Sequence, residues 1–366
     1  MKKIGIDARL LNQTGVGTYL QNLLFYLDKK NNPNHSYFVY LLKNDFKKIN
    51  FESKNIIKKE ANFYWHSFSE QVGFLMTLLK DNLDLMHFTY FTFPIFYWRK
   101  FLITIHDMTP ILFKTGRAST KNPLIYQLKH LIFKIVLFLG LRNSVKVIVP
   151  TKTVKQQIIS YYGQKFKDKI KVIYEGVSYH LLKEKKEKKI IKEFPYKNFF
   201  LYVGNFYPHK NVENLIEAFS SVDKKYSLIL IGIDDFFTKR IEGFLKKKNL
   251  KNIVLIKNLP KDKLKWFYQN CLALVHPSLS EGFGLTLFEA AYYGKPIIAS
   301  NIKVFKELWG ENYLSFDPKN QDDIKEKINY FLKKRPKFSY QKILQKYSFE
   351  KMTKETLKLY EELLKS

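Results

Sequence analysis

The sequence predicts an α/β protein made of two doubly wound parallel-sheet domains with a cleft between them. Three observations carry this. The chain has 366 residues, too many for one ordinary domain and enough for two that each bury a core. Short apolar runs of strand length alternate with longer amphipathic segments, as in parallel strands joined by crossover helices. The alternation also breaks once, between Ser178 and Lys197, and then restarts.

The first series opens with the strand Lys3-Ile4-Gly5-Ile6-Asp7 and the loop Thr14-Gly15-Val16-Gly17. A helix follows, with Tyr19, Leu20, Leu23, Leu24 and Leu27 at spacings of one, three and four. Further strands are predicted at Tyr37–Leu42, Leu85–Phe88, Phe101–Ile105 and Val145–Val149. The run Leu124–Leu141, interrupted by Lys129, His130 and Lys134, falls short of the roughly 20 apolar residues that span a bilayer. It reads as an amphipathic core helix, with a helix lying on a membrane surface as the alternative. The charged run Lys183–Lys189 marks an exposed linker. The second series predicts strands at Phe199–Val203, Leu228–Ile231, Ile253–Ile256, Leu272–His276 and Pro296–Ala299. Helices lie between them at Val212–Phe219, Phe236–Lys247, Lys261–Asn270 and Leu285–Tyr293. The predicted organisation is a domain at 1–180, a linker at 181–196, a second domain at 197–345 and a tail at 346–366.

Lys and Arg number 63 against 33 Asp and Glu, a formal charge of +30. Such a field draws phosphates, anionic lipid or nucleic acid. Nearly all of it is lysine, a bias that AT-rich coding also produces, so a solvated surface accounts for most of it. Attachment to an acidic membrane comes second; no nucleic-acid module appears and none is expected as partner. The one cysteine, Cys271, excludes an internal disulfide and points to a reducing, cytoplasmic location. Only four residues separate Lys2-Lys3 and the next charged position inclusive, too few for a signal-peptide core.

The strongest chemical signal is His276-Pro277-Ser278-Leu279-Ser280-Glu281-Gly282-Phe283-Gly284-Leu285-Thr286-Leu287-Phe288-Glu289-Ala290. A buried strand ends, two glycines let backbone approach a ligand, and a helix start offers free N–H groups to an anion such as a diphosphate. Glu281 and Glu289 would stand on the order of 12 Å apart if the interval is mostly helical. That is too far for two carboxylates acting on one glycosidic bond. It suits acceptors at opposite ends of an elongated, hydroxyl-rich ligand. A second segment, Tyr202-Val203-Gly204-Asn205-Phe206-Tyr207-Pro208-His209-Lys210-Asn211, ends a strand and starts a helix, with Asn211 as its N-cap. Lys210 is then positioned to neutralise a phosphate leaving group. In the first half, Ile103-Thr104-Ile105-His106-Asp107-Met108-Thr109-Pro110 puts His106 and Asp107 at a strand end.

The string Glu281-Gly282-Phe283-Gly284-Leu285 with Glu289-Ala290 resembles the E-x7-E segment of glycosyltransferase family 4. This is a retaining family of the GT-B fold, two Rossmann-like domains facing across a cleft, and the resemblance extends over nearly the whole chain. It implies that Glu281 contacts hydroxyls of a donor sugar and that Glu289 accepts from the nucleotide ribose. The backbone of Gly282, Phe283, Gly284 and Leu285 would face the sugar and phosphates. The 202–211 segment is similar to the family's G-x-x-x-P-R-K-N loop, which implies diphosphate contacts from Lys210, Asn205 and His209. His209 stands where arginine is usual, and neutral imidazole lacks a bidentate fork. Thr104-Ile105-His106-Asp107 through Pro110 is similar to T-x-H-D-x-x-P and implies that His106 reaches the donor, with Asp107 holding the loop on the acceptor side. Thr14–Tyr19 resembles T-G-x-G-x-Y, placing Gly15 and Gly17 near phosphate and Tyr19 near the acceptor. Thr151-Lys152-Thr153 and Tyr174-Glu175-Gly176-Val177 match structural landmarks, and Tyr347–Lys351 resembles a tail that packs back on the first domain.

Function follows from the resemblance as an expectation: hexose transfer, mannose foremost, from a GDP-, UDP- or dTDP-linked sugar. The acceptor would be a glycan or lipid-linked molecule in cell-surface polysaccharide assembly, at the cytoplasmic face and in peripheral contact with anionic membrane. No Asp-x-Asp occurs, so neither a metal nor another cofactor is expected. The aromatic run Phe88–Trp98 reads as core, with an acceptor platform as the alternative. A nucleotide-sugar epimerase of the same fold, or a basic membrane- or nucleic-acid-binding protein with a disused site, are the competing readings.

Overall fold

The computed structural model describes residues 1–113, 123–182 and 194–365; the charged run Lys183–Lys189 and most of the expected linker lie outside the described residues. The fold divides into two compact units, one holding Met1–Ile111, Lys121–Tyr179 and Tyr347–Ser366 and the other His180–Lys346.

Unit 1 is built on β1 (Lys2–Asp7), β2 (His35–Leu41), β3 (Ile56–Glu60), β4 (Leu85–Phe88), β5 (Phe101–Thr104), β6 (Lys146–Val149) and β7 (Ile170–Val172). They form one sheet in the order β3-β2-β1-β4-β5-β6-β7, with every pairing parallel. Unit 2 repeats the plan with β8 (Phe199–Val203), β9 (Ser227–Gly232), β10 (Ile253–Lys257), β11 (Leu274–His276), β12 (Ile297–Ser300) and β13 (Leu314–Phe316). Its order is β10-β9-β8-β11-β12-β13, again all parallel. In both sheets the strand order reverses beside the first strand, between β1 and β4 and between β8 and β11. Crossover helices leave in opposite directions there, which opens a crevice at the carboxyl ends of those strands.

Central strands are buried on both faces: all five residues of β8 and all four of β4 and β5 are buried. The sequence did not reveal β3, β7 and β13, and all three are edge strands. Two of them have only three residues, and β3 reads Ile56-Ile57-Lys58-Lys59-Glu60. Short, charged edges guard against stray pairing but blur the strand pattern.

One face of the first sheet buries Phe38, Tyr40, Met86, Phe88 and Ile103 beneath the helices Leu75–Asp81 and Pro123–Asn143. The latter corrects the expectation of an amphipathic core helix at Leu124–Leu141. Leu137 and Leu141 are 1% and 0% exposed, but Leu128, Leu131, Ile132 and Ile135 are 49–59% exposed. The segment is apolar on both its inner and outer faces.

The opposite face carries the first helix, Gly15–Lys30, and the terminal helix, Phe349–Lys365, packed together. The return to unit 1 is tight, since a Cβ on Gly176 would lie 2.4 Å from Ser348 Cα. At the sheet, buried His87 meets Tyr360 Oη at 2.6 Å through Nδ1 and Thr104 Oγ1 at 2.8 Å through Nε2. His35 contacts Glu361 at 2.8 Å, and Lys100 Nζ donates to the Leu363 carbonyl.

Burial, with a smaller effect from His106, lowers the His87 pKa to about 3. The folded state therefore holds this ring neutral, while an unfolded chain protonates it near pH 6.5. Stability from His87 is complete above that value and drains as pH falls toward about 3, by up to about 1.4 kcal/mol per pH unit. Urea unfolding at descending pH is expected to show this loss. A His87→Asn variant should be weaker at neutral pH with a shallower acid slope; an unchanged slope counts against a neutral buried ring.

Candidate active site

The crevice beside β8 is assembled from two loops. After β8, Tyr202 Oη donates to the Asn205 carbonyl at 2.6 Å, and a single turn, Pro208–Lys210, follows. Asn211 is then left-handed at φ 58°, and its side chain makes no cap bond to the helix Val212–Ser220, contrary to the N-cap expectation. Its amide donates instead to the carbonyls of Pro277 at 3.1 Å and Pro318 at 2.7 Å. Leu279 N donates to the His209 carbonyl at 2.8 Å. These bonds fasten the loop after β8 to the loops after β11 and β13.

Fastened this way, the loops bring Lys210 and Glu281 together, 71 residues apart in sequence, with Nζ 2.6 Å from Oε1. His276, the last residue of β11 and 2% exposed, approaches the same oxygen with Nε2 at 2.8 Å. Its ring stacks on Tyr202 at 5.8 Å, and its Nδ1 faces Thr286 Oγ1 at 3.4 Å. Burial pushes the Glu281 carboxyl up, but Lys210 and His276 outweigh it and hold the group well below the usual carboxylate range. For His276, burial wins over Glu281 and lowers the pKa. Burial thus favours the neutral ring, and in that form the contacts fit a tautomer in which Nε2–H donates to the carboxylate and Nδ1 accepts from Thr286.

Glu289 lies on the helix Leu285–Tyr292, where Tyr268 Oη, from the helix Lys261–Asn270, donates to Oε2 at 2.6 Å. Burial, then the charge of Glu289, raises the Tyr268 pKa far above its ordinary value, so the phenol stays a donor. Each glutamate is thus held from behind by a buried ring. Neither ring was picked out from the sequence. His276 had a signal, as a polar residue ending an apolar strand. Tyr268 had none, because its partner lies 21 residues on in a different helix.

The remaining donor-side residues divide. Gly282 is buried, and Phe283 turns its ring inward to stack on Phe288 at 4.6 Å, leaving only its backbone for a ligand. Leu285 begins the helix behind Gly284. Asn205 Oδ1 is buried without a donor among the described residues. His209 stacks on Tyr207 at 5.9 Å.

In unit 1, a Cβ on Gly17 would sit 2.5 Å from the Leu11 carbonyl, whereas Gly15 has open space. Tyr19 is 1% exposed and packs edge-on against His106 at 4.8 Å. In this position it forms a wall behind His106. His106 Nε2 lies 2.9 Å from the Thr89 carbonyl and Nδ1 3.4 Å from Glu175 Oε1. Glu175, read from the sequence as a landmark, thus faces His106 directly. Asp107 Oδ1 accepts from Thr109 N at 2.7 Å, holding the loop backbone. Among the described residues, no three His, Cys, Asp or Glu side chains converge as a metal ion would require.

Residues 183–350 match the family described as glycosyl transferases group 1, and residues 14–180 match Glycosyltransferase Family 4. An uncharacterized glycosyltransferase of Methanocaldococcus jannaschii is 31% identical over 318 residues, 85% of this chain and 78% of that one. The O-antigen chain mannosyltransferase RfbU of Salmonella typhimurium is 27% identical over 258 residues, 70% of this chain and 67% of its own. In fold, the chain is similar to sucrose-phosphate synthase from Thermosynechococcus elongatus, with TM-score 0.77, 18% identity and 99% of each chain covered. It is also similar to Anabaena HepE in complex with UDP and glucose, with TM-score 0.75, 18% identity and coverage of 99% and 100%.

The glycines of the site allow a mechanical check. Gly284 and Gly294 are both left-handed, at φ 85° and 67°, but only at Gly284 would a Cβ strike a neighbour, the Phe305 ring at 2.6 Å. Both alanine variants should lose about 1 kcal/mol to backbone strain. Gly284→Ala should lose about 1–3 kcal/mol beyond that from overpacking. Equal urea midpoints for the two variants are the result that contradicts the packing described here.

Proposed function

The chain belongs to the glycosyltransferases of family 4, and we propose that it transfers a hexose, mannose foremost, from a nucleoside-diphosphate sugar with retention of configuration. The acceptor in this reading is a glycan or lipid-linked molecule in cell-surface polysaccharide assembly. The reaction runs on the cytoplasmic side, at the inner face of the membrane. Among the described residues no helix is long and apolar enough to cross a bilayer.

The observation that carries the reading is the junction of Lys210 with Glu281 where the strand order reverses. A carboxylate held ionised by Lys210 and His276 is an acceptor for sugar hydroxyls, and all its described contacts fall on Oε1. When a diphosphate enters, Lys210 exchanges the carboxylate for phosphate oxygen, where leaving-group charge develops. Amides of residues 282–285 share that charge, and no metal is assigned because no Asp-x-Asp is present. Glu289, braced by Tyr268, accepts from ribose hydroxyls. The departing phosphate oxygen takes the acceptor's proton on the face it leaves, so no protein base is required. Within unit 1, Glu175 and Thr89 set the ring of His106. Mannose is favoured because relatives are named as mannosyltransferases of the O-antigen chain.

The donor is found by heating the protein with GDP-mannose, UDP-glucose and dTDP-rhamnose in turn, since a ligand that binds only the native state raises the Tm. GDP-mannose is expected to give the largest shift; product formed without acceptor would favour an epimerase. With the true donor, Glu281→Gln and Lys210→Ala should each lower kcat about a hundredfold. His276→Phe should lower kcat about tenfold with donor KM little changed, and His276→Asn should recover part of it. Near-normal rates in both Glu281→Gln and Lys210→Ala would remove the site assignment.

A further inference from the structure

We propose that the outer helical layer on one face of the first sheet is a docking surface for an anionic lipid bilayer. The inference deepens the reading above by naming the surface that would hold the enzyme beside a lipid-linked acceptor.

Leu128, Leu131, Ile132 and Ile135 follow the i, i+3, i+4, i+7 rule on the outward side of the helix Pro123–Asn143. A helix in a soluble domain ordinarily carries that stripe once, toward its core. Here Leu137 and Leu141 already fill that role, and among the described residues the second stripe stays half-exposed and outside the core. It also has neighbours of the same kind. Phe91, buried, packs edge-on against Phe133 at 4.5 Å and joins this helix to the loop that carries Phe96 and Trp98, 69% and 73% exposed. Gln71 binds that loop in turn, to the Phe93 carbonyl at 3.2 Å and the Ile95 amide at 2.9 Å. The helical segment bearing Gln71 exposes Val72 and Met76 at 48% and 64%. Three consecutive pieces of one layer thus present large apolar side chains to solvent, including a tryptophan, a residue suited to the lipid interface.

Charge decides the occupant. Residues 123–172, which include this helix and its neighbour Lys152–Tyr162, hold ten Lys or Arg and a single acid, Asp168. That is about twice the mean positive excess of the chain, estimated from its +30 over 366 residues. Lys134 Nζ lies 6.0 Å from the ring centre of Tyr161, itself 45% exposed. An apolar stripe on a helix that also carries Lys134, in so basic a stretch of chain, matches an interface of acyl chains beneath anionic headgroups. A protein partner of ordinary composition would supply apolar contact without this excess of negative charge.

The test is co-sedimentation of the full chain with phosphatidylcholine vesicles, with and without phosphatidylglycerol, at low and high salt. Binding should require phosphatidylglycerol and weaken with salt. Ile132→Glu should lower the partition coefficient about fivefold or more, because it sets a charge in the apolar stripe. Tyr330→Glu makes an equal charge change at a residue of equal exposure in unit 2, 49% against 50%, and should stay within about twofold. Trp98→Ala should weaken binding and remove a blue shift in tryptophan emission. Failure of the wild-type chain to pellet with phosphatidylglycerol vesicles overturns the proposal. So does an equal loss in Ile132→Glu and Tyr330→Glu, or undiminished binding in both Ile132→Glu and Trp98→Ala. Vesicle binding is scored without turnover, so its failure leaves the transferase reading standing, and a protein inactive with every donor can still bind.

Discussion

A carboxylate withdrawn from water must find donors or take up a proton, and Glu281 is kept ionised by two donors brought from neighbouring strands. Lys210 comes from the loop after β8 and His276 ends β11. They can meet only because these two strands are adjacent in the sheet while 71 positions separate the ion pair in sequence. The rest of the crevice serves that meeting: Asn211 spends its amide on two carbonyls across the gap, and Leu279 bonds to His209. A partly buried ion pair adds little net stability, because desolvation offsets most of the attraction. In the reading proposed above, its value is that the charges are already desolvated and positioned, so that a phosphate would need only to replace Glu281 at Lys210.

Unit 1 has its own buried charge cluster, with a different purpose. Arg9, 2% exposed, makes two bonds to Asp7 and one to Glu70, and its guanidinium lies 3.8 Å from the Phe74 ring centre. Glu70 in turn accepts from Thr92 and from the His66 amide. The segments that follow β1, β3 and β4 are thereby fixed to one another. Removing one member of such a set strands a buried charge, at a cost of about 3–5 kcal/mol. Arg9 has no open side toward a ligand, so it belongs to the frame that holds the loops.

The parts of this architecture that were legible in the sequence are those that burial alone determines. β8 is apolar throughout and β4 is broken only by His87, and both stood out, as did the glycines and glutamates after β11. Three of the four edge strands, β3, β7 and β13, were lost because they are short or partly face water, whereas the more apolar edge strand β10 was legible. The buried braces were lost for another reason. A histidine behind Glu281, a tyrosine behind Glu289 and a glutamate beside His106 are each recognisable only by what they touch across the fold, and local pattern carries no such information. Asn211 shows the limit from the other side: a residue type suited to capping, before a helix, became an interloop tie when two carbonyls lay within reach.

The two faces of the first sheet explain why one apolar helix in this chain stayed ambiguous to the sequence. One face is closed by the first and last helices, whose apolar stripes point at each other and at β4, with His87 and Tyr360 bonded between them. Everything apolar there is consumed. The other face is covered by helices from the middle of the chain, and these are apolar beyond what the core takes up. Periodicity cannot separate the two cases, since a helix with one stripe inward and one outward looks simply hydrophobic. Side-chain exposure separates them, and the lysine-rich composition then acquires a location. Positive charge spread over a whole surface says little, but a tenfold preponderance of basic over acidic residues in the stretch that carries the outer stripe gives that stripe a chemical direction.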